Sequence, residues 1–140
     1  MSDAQTVLKR SKVIAVVGCS ATVGKPAHDV PHELVQMGYD VRPVNPTMIS
    51  WEGRRCYAKL ADVPGPIDIV DVFRPAPETP DVARQAVARG DVKAVWLQSG
   101  IVSDEARRIV EAAGLDYVED RCVKVEARRI EFHRGRTQDI

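Results

Sequence analysis

Short apolar runs rich in β-branched residues alternate with amphipathic stretches along most of the chain. Lys12-Val-Ile-Ala-Val-Val-Gly18 is a short apolar, β-branched run after its lysine and stops at glycine, the pattern of a strand buried on both faces. Tyr39 to Val44, closed by Asn45-Pro46, and Ile67 to Phe73, Val92 to Leu97 and Leu115 to Val118 read as four further strands. Between them, Ala27 to Met37 places Val30, Leu34, Val35 and Met37 at helical spacing and then meets Gly38. Pro31 fits that helix only in its first turn, where a missing N–H costs little. Glu78 to Arg89 predicts a second helix, with Pro80 in its first turn and Gly90 at its end. Ser103 to Ala113 predicts a third: a serine cap, acidic Asp104 and Glu105 in the first turn, and Gly114 at the stop. Trp51-Glu-Gly53 reads as a turn and Tyr57 to Leu60 as one helical turn. Arg121 to Ile130 fits both periodicities and is taken as a helix. Phe132 to Ile140 is mostly polar and is taken as a tail.

Strands alternating with helices predict a parallel sheet covered on both faces. The expected fold is α/β: a single-domain, Rossmann-like, doubly wound and mainly parallel five-stranded sheet spanning residues 1–140. A β/α barrel needs about 250 residues, and this chain has 140. With 44% hydrophobic residues it can build one sizeable core. Twenty basic residues balance twenty acidic ones, which argues against a nucleic-acid partner. No run reaches the ~18 apolar residues of a membrane span, and no signal peptide is visible. A soluble cytoplasmic protein is expected. Three scattered cysteines without a CxxC suggest neither a disulfide framework nor a zinc ribbon.

Ligands of such sheets bind beyond the C-terminal strand ends. Four segments should line that edge: Gly18 to Pro26, Val44 to Pro46, Phe73 to Pro75, and Leu97 to Gly100. The first feeds a helix N-terminus, where unpaired N–H groups and the helix dipole favour phosphate. Gly18, Ser20, Thr22, Gly24 and Lys25 in one loop point the same way. It is not a nucleotide-triphosphate loop, because five residues rather than four separate Gly18 from Gly24 and Pro26 replaces the magnesium-binding hydroxyl. It departs from the dinucleotide fingerprint too: position 20 is serine, and Val44 or Asn45 stands where NAD proteins want an acid. NADP stays open, with Arg42 or Arg74 to meet a 2′-phosphate.

The segments VIAVVGCSATVGKPAHDV, GYDVRPVNP, DIVDVFRP, WLQSGIVSDEA and AAGLDYVEDRCVKVEARR resemble the CoA-binding domain proteins. These are small relatives of the N-terminal domain of the succinyl-CoA synthetase α subunit. The likeness runs from about Val13 to Ile130; GYxVxPVNP and WLQxG are its specific pieces. It implies a Rossmann-like fold and coenzyme A or an acyl-CoA as ligand, with the 3′-phospho-ADP half in the crevice. The first-loop site falls on Gly18, Ser20, Ala21, Thr22 and Val23, with Lys25 adjacent. The second falls on Asn45 and Pro46, and the other two segments supply Phe73, Arg74 and Gln98. A diphosphate and a 3′-phosphate want a helix N-terminus plus separate cations, which Lys25 and Arg74 provide. Phe73, or the rings of Pro43 and Pro46, would cover the adenine. The synthetases also carry a second domain with a phosphorylated histidine, for which 140 residues leave no room.

No catalytic constellation emerges. His28 and His32 are spaced i, i+4, as on a metal-binding helix face, but Pro31 between them and the lack of a third ligand in sequence favour exposed first-turn histidines. Cys19 faces a helix N-terminus, a setting that lowers a thiol pKa, so a mixed disulfide with CoA is one expectation and a small packing residue the other. Asp71 is expected to anchor a loop amide and Asp68 to lie at the wet start of its strand. Trp51 and the tail are candidate contacts with a second copy or a protein partner. The expectation is a CoA-binding, sensing or accessory module. The alternatives are an NADP- or other nucleotide-binding enzyme completed by a partner or oligomer, and an interaction module that has lost its ligand.

Overall fold

Four of the five residues Val13–Val17 are β-branched, and the middle three are buried. Such a strand is stable only between two covering layers. The computed structural model supplies both; it describes residues 1–138, with side chains as far as residue 131. In chain order the elements are α1 (Ala4–Lys9), β1 (Val13–Val17), α2 (Pro26–Gln36), β2 (Asp40–Val44), β3 (Ser50–Trp51), β4 (Arg54–Arg55) and β5 (Ile67–Val72). They continue with α3 (Thr79–Arg89), β6 (Val92–Leu97), α4 (Asp104–Ala112), β7 (Asp116–Val118) and α5 (Val123–Gln138). The main sheet has the order β2-β1-β5-β6-β7 with every pair parallel. The small β3–β4 hairpin is antiparallel and stands apart from it.

Alternation along β1 divides the core. Ile14 and Val16 face one cluster, which takes in Leu34 of α2, Val7 and Leu8 of α1, and Val123, Ala127 and Ile130 of α5. Ala15 faces the other, with Val82, Ala83 and Ala86 of α3 and Val110 of α4. The predicted five-stranded, doubly wound α/β fold is therefore the observed one, with element ends shifted by a residue or so. The ambiguous stretch after Arg121 is helical. That helix runs through Gln138, over most of the expected tail, while Asp139 and Ile140 lie outside the described residues. Short α1 and the hairpin were not foreseen: six and two-plus-two residues are too few for a period to show.

One prediction about Pro31 fails. Pro26 holds the first helical position, and Pro31 lies inside α2, in its second turn. Proline there cannot bond the carbonyl four residues back, that of Ala27. The Ser20 amide takes that carbonyl instead, at 3.0 Å.

At the C-terminal strand ends, β1 and β5 come so close that Gly18 has no alternative residue. Its φ is +87°, and a Cβ there would meet the Phe73 carbonyl oxygen at 2.6 Å. Below it, Asp71 of β5 is fully buried. Gln98 Nε2 donates to Asp71 Oδ1 at 2.7 Å, so Asp71 anchors a side chain rather than the expected loop amide. Asp71 Oδ2 has no partner among the described residues. Burial pushes this carboxyl up from 3.8 to about 7, against the opposing pull of the Gln98 hydrogen bond. Asp68 does lie at the start of β5, accepting from the Lys12 and Val13 amides at 2.8 and 2.9 Å.

Two outcomes follow from this geometry. Gly18→Ala combines a left-handed φ with a backbone clash, so it should lose at least ~2 kcal/mol in urea unfolding. Asp71 holds its proton in the folded chain and releases it in the unfolded one between the ordinary 3.8 and about 7. Its contribution to stability is thus present in acid and lost as pH rises across that window. Asp71→Asn should remove this loss, so the stability difference between variant and wild type should shift towards the variant from about pH 4 to about pH 7. A parallel pair of pH–stability curves would contradict the assignment.

Candidate functional site

The loop from Gly18 to Lys25 joins the end of β1 to the first turn of α2, and its shape is set almost wholly by bonds to its own backbone. Gly18 N donates to the Val44 carbonyl at 3.0 Å, prolonging the sheet. Asn45 Nδ2 donates to the Cys19 carbonyl at 2.8 Å. Trp51 Nε1 donates to the Ser20 carbonyl at 2.9 Å. The Ser20 hydroxyl accepts from Thr22 N at 3.0 Å, and Asp29 Oδ1 accepts from Gly24 N at 3.1 Å. Among the described residues, the amides of Ala21, Val23 and Ala27 have no partner. These donors sit where the positive end of the α2 dipole lies, the arrangement that suits a phosphate.

Beside the loop is a cavity of about 610 Å³ at the C-terminal ends of β1, β5 and β6, in the range typical of small-molecule sites. Lys25, Ala27 and Asp29 form one wall, and Phe73, Arg74 and Gln98 another. Cys122 and Lys124 at the start of α5 close the third side. Arg74 reaches Glu78 through both carboxylate oxygens, at 2.8 and 2.9 Å, yet its side chain remains 45% exposed. Lys25, Arg74 and Lys124 thus surround the space with three cations. Asp29 opposes them, and the hydrogen bond from His28 chiefly holds its carboxyl below its ordinary value and so in the charged form.

Of the residues singled out in the sequence, Lys25, Phe73, Arg74 and Gln98 share this cavity. Gly18, Ser20, Ala21, Thr22 and Val23 form the loop at its lip; Val23 is 79% exposed. Asn45 and Pro46 lie elsewhere. The Asn45 side chain braces Cys19 on one side, and on the other its Oδ1 accepts from Thr47 N and Oγ1 at 2.8 and 2.7 Å. Pro46 borders a separate depression with Met48, Ile49 and Tyr57. Pro43 is buried and presents no ring to a ligand. Ser99 also lines the cavity, within the Leu97 to Gly100 segment expected at this edge, whereas Ile101, Cys122 and Lys124 were missed. The helical period of Val123, Ala127 and Ile130 marks Lys124 as flanking a buried stripe, but no local signal brings the start of α5 across to β1.

Four further expectations are overturned. Cys19 is fully buried, and burial first, then Cys56, Glu52 and Asp71, pushes its thiol up to about 12. It is not the activated thiolate that a mixed disulfide requires. Trp51 is only 3% exposed, so it is no contact surface. Arg42 is spent on Asp40 (3.0 Å) and on the Pro64 carbonyl. His28 is buried, and Glu52 supplies the third group that the sequence spacing did not show.

Comparison with known proteins bears on this site directly. The family model described as "CoA binding domain" matches residues 12–128. The uncharacterized protein YneT of Bacillus subtilis is 36% identical over 124 residues, which is 89% of this chain and 91% of that one. A solved structure from Thermus thermophilus superposes with a TM-score of 0.84 at 39% identity, covering 91% of this chain and 98% of that one. An ADP-forming acetate–CoA ligase of Archaeoglobus fulgidus is 33% identical over 73% of this chain, but that stretch is only 16% of the ligase. The relationship shown is thus to ADP-forming ligases, in their CoA-binding part, rather than to succinyl-CoA synthetase in particular. With the match spanning most of the chain, from the first strand into the last helix, the protein belongs to the CoA-binding domain family.

Proposed function

We propose that the protein binds coenzyme A or an acyl-CoA across the C-terminal edge of its sheet and serves as a CoA-binding, sensing or accessory module. The observation that carries this reading is the meeting of free loop amides with three cations around one cavity. The diphosphate lies against Ala21, Val23 and the N-terminus of α2, where fixed N–H donors replace its water without reorganisation. Lys25, Arg74 and Lys124 neutralise the remaining phosphate charge, the 3′-phosphate included. Phe73 flanks the adenine. Ser20 and Thr22 hold the loop in shape, and Gln98 fixes the floor through Asp71. Asn45 acts from behind the loop, and Pro46 contributes through the turn it makes.

The kinship with the succinyl-CoA synthetase α subunit rests on the GYDVRPVNP and WLQSG segments and belongs to this proposal, as does a cytoplasmic location. Among the described residues, no helix is long and apolar enough to cross a membrane. The NADP reading loses its first cation, because Arg42 is committed to Asp40 and the chain. A protein partner or a second copy would approach from the exposed Val23 side of the loop, not through Trp51.

Calorimetric titration of CoA, acetyl-CoA, NADP and ATP into the reduced protein tests the proposal. Saturable CoA binding is expected, weakened roughly tenfold by Lys25→Ala or Arg74→Ala, the worth of one charge-assisted hydrogen bond. Binding of NADP or ATP in place of CoA would overturn it.

A further inference from the structure

Outside the cavity, His28, His32 and Glu52 form a tight cluster where α2 meets the turn of the β3–β4 hairpin. His28 Nε2 lies 2.8 Å from Glu52 Oε1. His32 Nδ1 lies 2.8 Å from the same oxygen and 2.6 Å from Oε2. One donor atom from each of the three lies within 4.8 Å of the others. The two imidazoles are stacked, with centroids 5.6 Å apart and planes inclined by 18°, and one nitrogen of each ring lies 2.8 Å from the same Glu52 oxygen. The edge of Trp51 packs against His28 and limits its rotation.

From these positions we infer that His28 Nε2, His32 Nδ1 and the Glu52 carboxylate form a binding site for one divalent transition-metal ion of the zinc class. Two imidazoles and a carboxylate are a donor set that such ions favour, and His residues at i, i+4 present their nitrogens on one helix face. Around zinc, with bonds of ~2.0–2.1 Å, donor atoms stand about 3.4 Å apart. The Glu52 carboxylate needs to draw back from the two nitrogens by less than ~1 Å to reach that. The far nitrogens of both rings are already engaged, as those of metal-bound histidines are. Asp29 Oδ1 lies 2.7 Å from His28 Nδ1, and the Gln36 side-chain amide lies 3.1 Å from His32 Nε2. Glu52 and Asp29 together balance the charge of a divalent ion held by neutral imidazoles. His32 is 42% exposed, so the ion has an entry path and a coordination position open to water. Bound there, it ties the hairpin to α2. Through Asp29, which also accepts from Gly24 N, it reaches the loop at the lip of the cavity. The site does not depend on what that cavity binds.

The test is titration of chelator-stripped protein with Zn²⁺ by calorimetry and with Co²⁺ by visible absorption, with no CoA present. One equivalent of either ion should bind, and Zn²⁺ should raise the melting temperature of the wild type. His32→Ala and Glu52→Gln should each weaken binding by at least ~tenfold and abolish the melting shift. Asp29→Asn, at a residue that orients His28 without ligating the ion, should weaken it by about tenfold. Circular dichroism of the metal-free variants separates loss of ligand from loss of fold; Glu52→Gln keeps the side-chain shape and decides if His32→Ala does not fold. Absence of saturable uptake, or uptake unchanged in both variants, would overturn the assignment.

Discussion

A parallel sheet has no wet face. Helices lie across both of its surfaces, so the five strands here are sealed by α1, α2 and α5 on one side and by α3 and α4 on the other. Only the strand ends are left to meet water, and at the C-terminal ends the helix N-termini point outward with their unpaired amides. Ligand chemistry is thereby confined to one edge. The order β2-β1-β5-β6-β7 places the reversal of strand order at β1, between β2 and β5. The glycine loop leaves from that strand, and the cavity opens beside it.

The loop is held by what surrounds it. Pro31 removes one bond from the middle of α2, and the carbonyl it frees on Ala27 becomes the anchor for Ser20. A defect in the helix is thus converted into rigidity of the loop. Asn45 and Trp51 hold the two preceding carbonyls, from the end of β2 and from the hairpin. With its carbonyls turned inward to these donors, the loop keeps the amides of Ala21 and Val23 for a ligand. The scaffold thereby provides a site organised before binding, which lowers the cost of ordering it.

The same bracing explains why several residues of suggestive chemistry take structural roles. Trp51 resembles a contact residue by type, but its indole N–H is spent on the loop. Cys19 follows a strand and precedes a helix, yet it is packed beneath the loop, where burial disfavours the thiolate. Arg42 is oriented by Asp40 two residues away on the same face of β2. Trp51 satisfies the Ser20 carbonyl, Arg42 is held by Asp40 and the Pro64 carbonyl, and Cys19 fills space beneath the loop.

Periodicity and punctuation determined the architecture. A β-branched run ending at Gly18, and helices closed by Gly38, Gly90 and Gly114, are local signals, and they were enough for the strand–helix order and for placing the glycine loop at the C-terminal edge of the sheet. The rule for parallel sheets then brought Phe73, Arg74 and Gln98 to the same edge. What only the tertiary structure decided rests on contacts between residues far apart in the chain: Lys124 across the cavity from Lys25, Asn45 under Cys19, and Glu52 against His28 and His32. The β3–β4 hairpin that carries Glu52 is too short to write a period. The pairing of buried polar groups depends on three-dimensional packing, which a spacing of residues along the chain does not encode.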